Sequence, residues 1–302
     1  MKSYREGLAS AIICSVWLGI MPIYWQWLRP IESSVIIFYR ILLVAVVSVI
    51  AALFKYSLKE ILEPLKDKKL LLKYILAGIL ITTNWSIYIW AVNAEFVIQT
   101  CIGYYIEPLM VCIFGVILFK EELTVYKKTA LAFALLGVAV VIIYFRQVPM
   151  IALGIAVTFS IYAALKKNLN RPPILSILYE TVFLAPFAIA IIVYIEASGQ
   201  GAIASLESGE LYKYGLLMLC GLFTAFPLGM FANAANKINM FALGLTEYIS
   251  PTLSLIIGIF LFQEPFEKVQ LVAFAIIWVG LIFFSYGEFK YYKLSKETLN
   301  EG

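Results

Sequence analysis

Residues 104–137 read YYIEPLMVCIFGVILFKEELTVYKKTALAFALLG, and residues 247–280 read EYISPTLSLIIGIFLFQEPFEKVQLVAFAIIWVG. When the two stretches are aligned at an offset of 143 positions, 11 of the 33 positions from 105 to 137 are identical without a gap. Matches of Ile, Leu and Ala mean little between apolar helices, but matched Pro, Gly and Glu residues in one alignment carry more weight. These pairs are Pro108/Pro251, Gly115/Gly258 and Glu121/Glu264. The sequence therefore predicts an internal duplication, which decides the fold.

The composition indicates that this chain is dissolved in lipid. Hydrophobic residues make up 63% of the 302 positions and charged residues 14%, against ~45–50% and ~25% in soluble domains. A soluble core cannot bury that much apolar surface. The formal net charge is +4, and the basic residues lie in short loops without forming a stripe. We therefore expect membrane lipid as a partner and no nucleic acid.

Ten apolar segments approach or exceed the roughly 20 residues that span a bilayer. They cover residues 7–27, 34–54, 72–93, 97–119, 125–145, 149–166, 174–195, 211–233, 240–262 and 267–287. The predicted fold is an all-α integral membrane protein with five helices in each repeat. The first repeat covers residues 1–146 and the second residues 147–289, and residues 290–302 form a cytoplasmic tail.

The distribution of Lys and Arg predicts the orientation in the membrane. Of 23 such residues, 18 lie in segments on the side of the N-terminus, four lie in loops on the other side, and Arg40 lies within a span. Both termini are therefore predicted to be cytoplasmic. Because each half holds an odd number of helices, the two halves must be inverted. Inverted repeats are typical of secondary transporters whose site lies near the midplane, in a cavity between the repeats.

Charged residues inside spans are candidates for function because each costs about 2.5–3.5 kcal/mol at a helix centre. They are Arg40, Glu107, Glu180 and Glu247. At an offset of 140, Tyr39-Arg40 aligns with Tyr179-Glu180, so opposite charges at equivalent positions suggest a pair across the cavity. Three interpretations stay open for Arg40 and Glu180: a structural salt bridge, substrate binding or gating, and snorkelling at the membrane edge. Their neighbours Tyr39 and Tyr179 are further candidates for substrate binding.

Two spans carry a polar stripe on one face. In the fourth span it is formed by Thr100, Tyr104 and Glu107, and in the ninth by Glu247, Ser250 and Ser254. The third span adds a polar and aromatic face with Asn84, Trp85 and Tyr88, and Trp17 on the first span is a further aromatic candidate. These side chains either line a shared central cavity or bond the helices together.

Prolines inside the fourth and ninth spans predict helix breaks. Pro108 and Pro251 each remove one amide donor and free the carbonyl four residues earlier. Freed carbonyls inside a membrane are tolerated where they face protein or water. We expect these breaks to take part in gating.

Several short motifs resemble one known family. They are the run from Asn84-Trp85 to Trp90-Ala91-Val92-Asn93, Gly103-Tyr104-Tyr105-Ile106-Glu107-Pro108-Leu109, Tyr248-Ile249-Ser250-Pro251-Thr252 and Ile277-Trp278-Val279-Gly280. Together they resemble the RarD branch of the EamA transporters, in the drug/metabolite transporter superfamily. The resemblance implies an exporter-like carrier with two inverted EamA repeats in a bacterial inner membrane. Glu107 departs from the pattern, since an uncharged amide is expected there.

The sequence lacks the usual signs of catalysis. It holds no His, and its four Cys residues are scattered through apolar segments, so no metal site, cofactor or disulfide framework is expected. We expect a non-enzyme: a secondary active transporter of a small amphiphilic metabolite or drug-like molecule, amino-acid-like or aromatic, working by alternating access. A guanidinium can clamp a carboxylate, and buried carboxyls are candidate proton carriers. The alternatives are a uniporter or channel and a membrane enzyme acting on lipid-linked substrates. A monomer and a homodimer fit the sequence equally.

Overall fold

The computed structural model describes residues 2–93, 97–146, 150–169, 171–206, 208–263 and 267–300. Within these ranges the chain forms helices and turns, without a strand. The α-helices are α1 (Lys2–Trp27), α2 (Ser33–Lys55), α3 (Leu58–Leu62), α4 (Lys68–Asn93), α5 (Val97–Phe119), α6 (Val125–Phe145), α7 (Met150–Leu169), α8 (Pro173–Thr181), α9 (Ala185–Ala197), α10 (Tyr212–Met218), α11 (Cys220–Lys237), α12 (Met240–Glu247), α13 (Ile249–Phe260) and α14 (Lys268–Asn300). Two short 3₁₀ turns cover Glu63–Lys66 and Ser208–Glu210.

The helices account for the predicted membrane spans. In the described part of the chain, nine helical segments are long and apolar enough to cross a bilayer, and the bent pair α8 and α9 makes up to ten. Helices α10 and α11 together form one of these segments, and α12 and α13 form another. The all-helical, ten-span prediction is confirmed.

Two predicted spans differ from the observed helices. The seventh span is broken into α8 and α9, which meet at an angle of 53°. The break precedes Pro186, which lies in the first turn of α9, where its missing amide hydrogen is tolerated. The sixth span, predicted to end at Lys166, continues to Leu169, and Lys166 lies inside α7 and is buried.

The two membrane prolines also behave differently from each other. Helix α5 continues through Pro108, so the break predicted there is wrong. The carbonyl of Pro108 lies against Gly244 of α12, where an added Cβ would come within 2.7 Å. This close packing supports α5 as one helix. In the second half, α12 ends at Glu247 and α13 begins at Ile249. Pro251 has no amide hydrogen to bond the carbonyl oxygen of Glu247, so the interruption lies where the sequence predicts it.

The contact between α6 and α14 displays the duplication directly. At the offset of 143, Gly137 corresponds to Gly280 and Ala130 to Ala273. A Cβ at Gly137 would lie 2.9 Å from the carbonyl oxygen of Ala273, and a Cβ at Gly280 would lie 3.0 Å from that of Ala130. The same contact is therefore made twice with the halves exchanged, and the two helices run antiparallel.

The other helix contacts follow the same exchange. Helix α1 packs on α11 and α13, as its counterpart α7 packs on α4 and α5. Helix α2 packs on α11, as α8 packs on α4. The cavity described below lies between these helices. Glu264, which the alignment pairs with Glu121, lies outside the described residues.

Candidate functional site

Arg40 of α2 points to the interface between the two halves. Its Nε donates a hydrogen bond to Thr224 Oγ1 of α11 at 3.0 Å. Its guanidinium carbon lies 3.6 Å from the ring centroid of Trp85 and 5.3 Å from that of Trp25. Among the described side chains no carboxylate forms an ion pair with Arg40, so its charge is supported by aromatic rings and one hydroxyl group.

A cavity of about 50 Å³ lies beside Arg40. Its wall includes Arg40, Ile81 and Trp85 from the first half and Phe159, Thr224 and Phe231 from the second. Apart from Arg40 and Thr224, the residues that line the cavity are hydrophobic or aromatic. A drug-sized ligand needs ~300–1,000 Å³, so the halves must separate before such a ligand can enter.

Glu180 does not pair with Arg40, which makes that prediction wrong. Lys166 Nζ lies 2.6 Å from Glu180 Oε1, and the two side chains are 1% and 2% exposed. The hydroxyl groups of Ser176 and Tyr162 donate to the same carboxylate at 2.8 Å and 3.3 Å. Because Lys166 is directed into the protein instead of toward the membrane surface, it reaches Glu180 and neutralises it locally.

Two predicted tyrosines also lie away from the cavity. Tyr39 donates its hydroxyl to Glu196 Oε1 at 2.6 Å, and Tyr179 donates to the carbonyl oxygen of Ile61 at 2.6 Å. Glu196 and Ile61 lie in different connecting regions, at the end of α9 and in α3. Tyr39 thus links α2 to the end of α9, and Tyr179 links α8 to α3.

The polar face of α4 contacts α7 and, through Tyr88, the stripe of α5. The amide of Asn84 donates to the carbonyl oxygen of Ile155 at 2.8 Å and to Thr158 Oγ1 at 3.2 Å, both on α7. The rings of Tyr88 and Tyr104 are 5.5 Å apart. This part of the predicted set forms one group.

Trp17 and Ser250 border this region without lining the cavity wall. The indole N–H of Trp17 donates to the carbonyl oxygen of Phe223 at 2.9 Å, and its ring packs 4.8 Å from Phe226. The carbonyl of Ser250 lies against Gly19 of α1, where an added Cβ would come within 2.9 Å. Both contacts hold α1 against the second half.

Glu247 ends α12 at the helix break. Both carboxylate oxygens are buried, and neither has a hydrogen-bond partner among the described residues. Glu107 lies at the same contact on α5, because its neighbour Pro108 packs on Gly244 and the carbonyl oxygen of Tyr105 accepts the hydroxyl of Tyr248 at 3.0 Å. The two stripes predicted from sequence therefore do bring two carboxyl groups together at the interface of the halves.

One end of the α5–α12 contact is tied by polar bonds. Glu121 accepts hydrogen bonds from the amides of Met240 at 2.5 Å and Phe241 at 2.9 Å, which are the first residues of α12. A carboxylate at a helix N-terminus is favoured by the free amides and the helix dipole. Lys167 donates to the carbonyl oxygen of Ile238 at 2.5 Å, just before α12. At this end of the molecule, called the closed end below, Glu121 of the first half and Lys167 of the second half hold the start of α12 in place.

The sequence reasoning missed Lys166 and Thr224 as parts of these clusters. Lys166 precedes Lys167, and the doublet was interpreted as the end of a span. A signal was present, because Ser176 and Glu180 are four residues apart and share one face of a helix that needs a buried donor. Thr224 gave no signal, since a single hydroxyl within an apolar span commonly bonds its own backbone.

Two inverted helical repeats, with the Arg40 guanidinium in the wall of a small cavity between them, define a multi-pass membrane protein. The chain belongs to the EamA-like transporter family, which matches residues 5–143 and again residues 148–286. The double match confirms the duplication and the resemblance stated from the motifs.

Individual relatives extend over nearly the whole chain. The uncharacterized transporter YojE of Bacillus subtilis strain 168 is 33% identical over 295 residues, which cover 97% of each chain. Protein RarD of Escherichia coli K12 is 29% identical over 287 residues, covering 94% of this chain and 95% of its own. A solved crystal structure with 14% identity has a TM-score of 0.71 over 92% of this chain and 96% of the other, and so shares the fold.

Proposed function

We propose that this protein is a secondary active transporter that moves a small amphiphilic molecule bearing a carboxylate and an apolar or aromatic body. Membership of the EamA-like transporter family supports transport as the activity. Family membership does not specify a substrate, and the residues of the cavity support the substrate class.

Arg40 is the observation that carries the substrate class. The hydrogen bond to Thr224 uses Nε, and no bond from the terminal guanidinium nitrogens to another described residue is found. Those nitrogens can bind a carboxylate through two parallel hydrogen bonds. The rings of Trp85 and Phe159 beside them suit an apolar or flat body. An acid partner for Arg40 would have removed this capacity.

Alternating access accounts for the small cavity and for the bonds at the closed end. A channel needs a continuous path, whereas the described cavity holds about 50 Å³, roughly enough for a few waters. With both termini in the cytoplasm, the closed end faces the cytoplasm, because α5 and α14 are then directed inward. We place the protein in the bacterial inner membrane. Ion or substrate gradients would drive the transport.

The functional unit is one chain in this proposal. Arg40 and Trp85 come from the first half of the chain, and Thr224 comes from the second half. A single copy therefore supplies both sides of the cavity, and a homodimer is not needed to complete the site.

Ligand binding to detergent-purified protein tests the proposal. Aromatic amino acids and their amides are compared by thermal shift, and compounds that bind are then assayed for saturable counterflow in proteoliposomes. Arg40→Gln removes a charge-assisted contact of about 1.5–3 kcal/mol, so the affinity for a carboxylate compound should fall roughly 10- to 150-fold. The affinity for the matching amide should change little.

Arg29→Gln serves as the matched control, because Arg29 is exposed in the turn after α1. Its binding and counterflow should equal those of the parent. Equal affinity of Arg40→Gln for acid and amide, with parental values for both, would remove the carboxylate from the proposal. Turnover of a compound without a gradient would favour an enzyme instead.

A further inference from the structure

The unbonded carboxylate of Glu247 is the least satisfied polar group in the described part of the chain. Both oxygens are buried without a hydrogen-bond partner. An ionised carboxylate without a partner is costly inside a protein, and such groups are neutralised, paired or bound to a cation. The site therefore needs a ligand or a proton that the side chains do not supply.

The surroundings of Glu247 contain no basic partner. The titratable groups that interact with it are Cys14 on α1, Glu107 and Cys112 on α5, and its neighbour Tyr248. Three basic residues on the second-half helices that contact α12 have partners of their own. They are Lys166 with Glu180, Lys167 with Ile238 and Lys237 with Glu6.

The two carboxyl groups differ in their surroundings. Both oxygens of Glu247 are buried without a hydrogen-bond partner, whereas the oxygens of Glu107 are not among the buried described atoms that lack one. Of the pair, Glu247 is therefore better suited to the neutral acid, which can itself donate a hydrogen bond.

We infer that Glu247 and Glu107 form a proton-binding site in which Glu247 carries the proton when the closed end is sealed. The step is the reversible addition of one proton to a carboxylate, with no other bond made or broken. A metal cation fits less well, since hard cations need six or more oxygen ligands, while thiols and rings surround Glu247. This inference rests on the proposed transport function for its purpose, because a proton bound here can link movement to a proton gradient.

The position of Glu247 explains how a proton would act on the closed end. Helix α12 runs from the amides bonded by Glu121 to Glu247 itself. Directly beyond, the hydroxyl of Tyr248 donates to the carbonyl oxygen of Tyr105 on α5 at 3.0 Å. Loss of the proton would leave a buried carboxylate without a partner between α5 and α12, and the cost of that charge would favour separation of the helices and entry of water. Proton release thus promotes opening of the end that Glu121 seals.

Carbodiimide labelling tests the inference without knowledge of the substrate. Dicyclohexylcarbodiimide reacts with protonated carboxyl groups in apolar surroundings, and mass spectrometry identifies the modified residue. On parent protein in detergent near neutral pH, the label should lie on Glu247, and it should be lost as the pH is raised. Glu180 is the internal control, because its buried carboxylate is paired with Lys166 and should stay unlabelled.

The possible results separate cleanly. Label on Glu247 that is absent from a folded Glu247→Gln variant supports the site. Label on Glu107 instead, absence of label on Glu247, or label that does not depend on pH would overturn it. Protection by a sodium salt relative to a potassium salt would assign the site to sodium and also overturn the proton. Labelling does not depend on transport, so a failure of counterflow contradicts only the proposed function.

Discussion

Removal of one partner from the buried pair of Lys166 and Glu180 should destabilise the protein strongly. Lys166→Met leaves the Glu180 carboxylate with two neutral donors, Ser176 at 2.8 Å and Tyr162 at 3.3 Å. Glu180→Met leaves the Lys166 ammonium with one acceptor, Ser176 at 2.9 Å. In both cases a charge stays in a place that is 1–2% exposed.

The expected magnitude follows from that burial. Breaking a buried ion pair by removing one member costs about 3–5 kcal/mol, while replacing both members by apolar residues is often neutral. We therefore expect each single variant to lose about 3–5 kcal/mol, with Glu180→Met near the upper end because fewer bonds remain. The double variant Lys166→Met/Glu180→Met should lie within about 1–2 kcal/mol of the parent.

Reversible unfolding in mixed detergent micelles measures these free energies, and the four proteins form a double-mutant cycle. Lys237→Met is the control, because the Lys237–Glu6 pair at 2.9 Å is 28% and 49% exposed, and such a pair contributes about 1 kcal/mol or less. If the double variant is no more stable than the worse single variant, the two residues do not act as a pair. If Arg40→Gln is rescued by Glu180→Gln, the pairing described above is wrong.

Two further predictions concern packing and the closed end. Gly137→Ala and Gly280→Ala should each destabilise by about 1–3 kcal/mol, measured by the same unfolding assay, since each added Cβ meets a carbonyl oxygen at 2.9–3.0 Å; unchanged stability in both would contradict the symmetric contact. Glu121→Gln weakens the cap of α12 by about 0.3–2 kcal/mol. It should therefore raise maleimide labelling of Cys112, in a variant without the other cysteines, by roughly 2- to 30-fold. Glu122→Gln, at the exposed next position, should leave the labelling rate unchanged, and an equal rise in both variants would contradict the role of Glu121.

The fold could be predicted because it depends on long-range features of the sequence. Span length follows from bilayer thickness, and the aligned Pro and Gly residues revealed the duplication before any contact was known. The contacts of Gly137 and Gly280 then follow from the same alignment. Helix interruptions were harder to predict, because a proline such as Pro108 can be accommodated when a neighbouring helix packs closely on it.

The site could be predicted only in part, because the rotation of an apolar helix cannot be inferred from its hydrophobicity. A helix that is apolar all round gives no direction to its core face, so Arg40 and Glu180 were paired on charge and alignment alone. Asn84 and Glu107 were easier, since several polar residues at helical spacing marked one face. Glu247 was predicted for the same reason.

The divergence of Arg40 and Glu180 gives the duplicated fold its functional asymmetry. These residues occupy equivalent positions at the offset of 140, and a direct bond between them would have neutralised both. Instead, Lys166 neutralises Glu180 within the second half. Arg40 keeps its positive charge against Trp85 at the cavity wall. An unneutralised guanidinium in a membrane is costly. The closed cavity should therefore be more stable with a bound carboxylate than without a ligand. Under the proposed function, Lys166 would therefore act on substrate binding indirectly, by leaving Arg40 free of an internal acid.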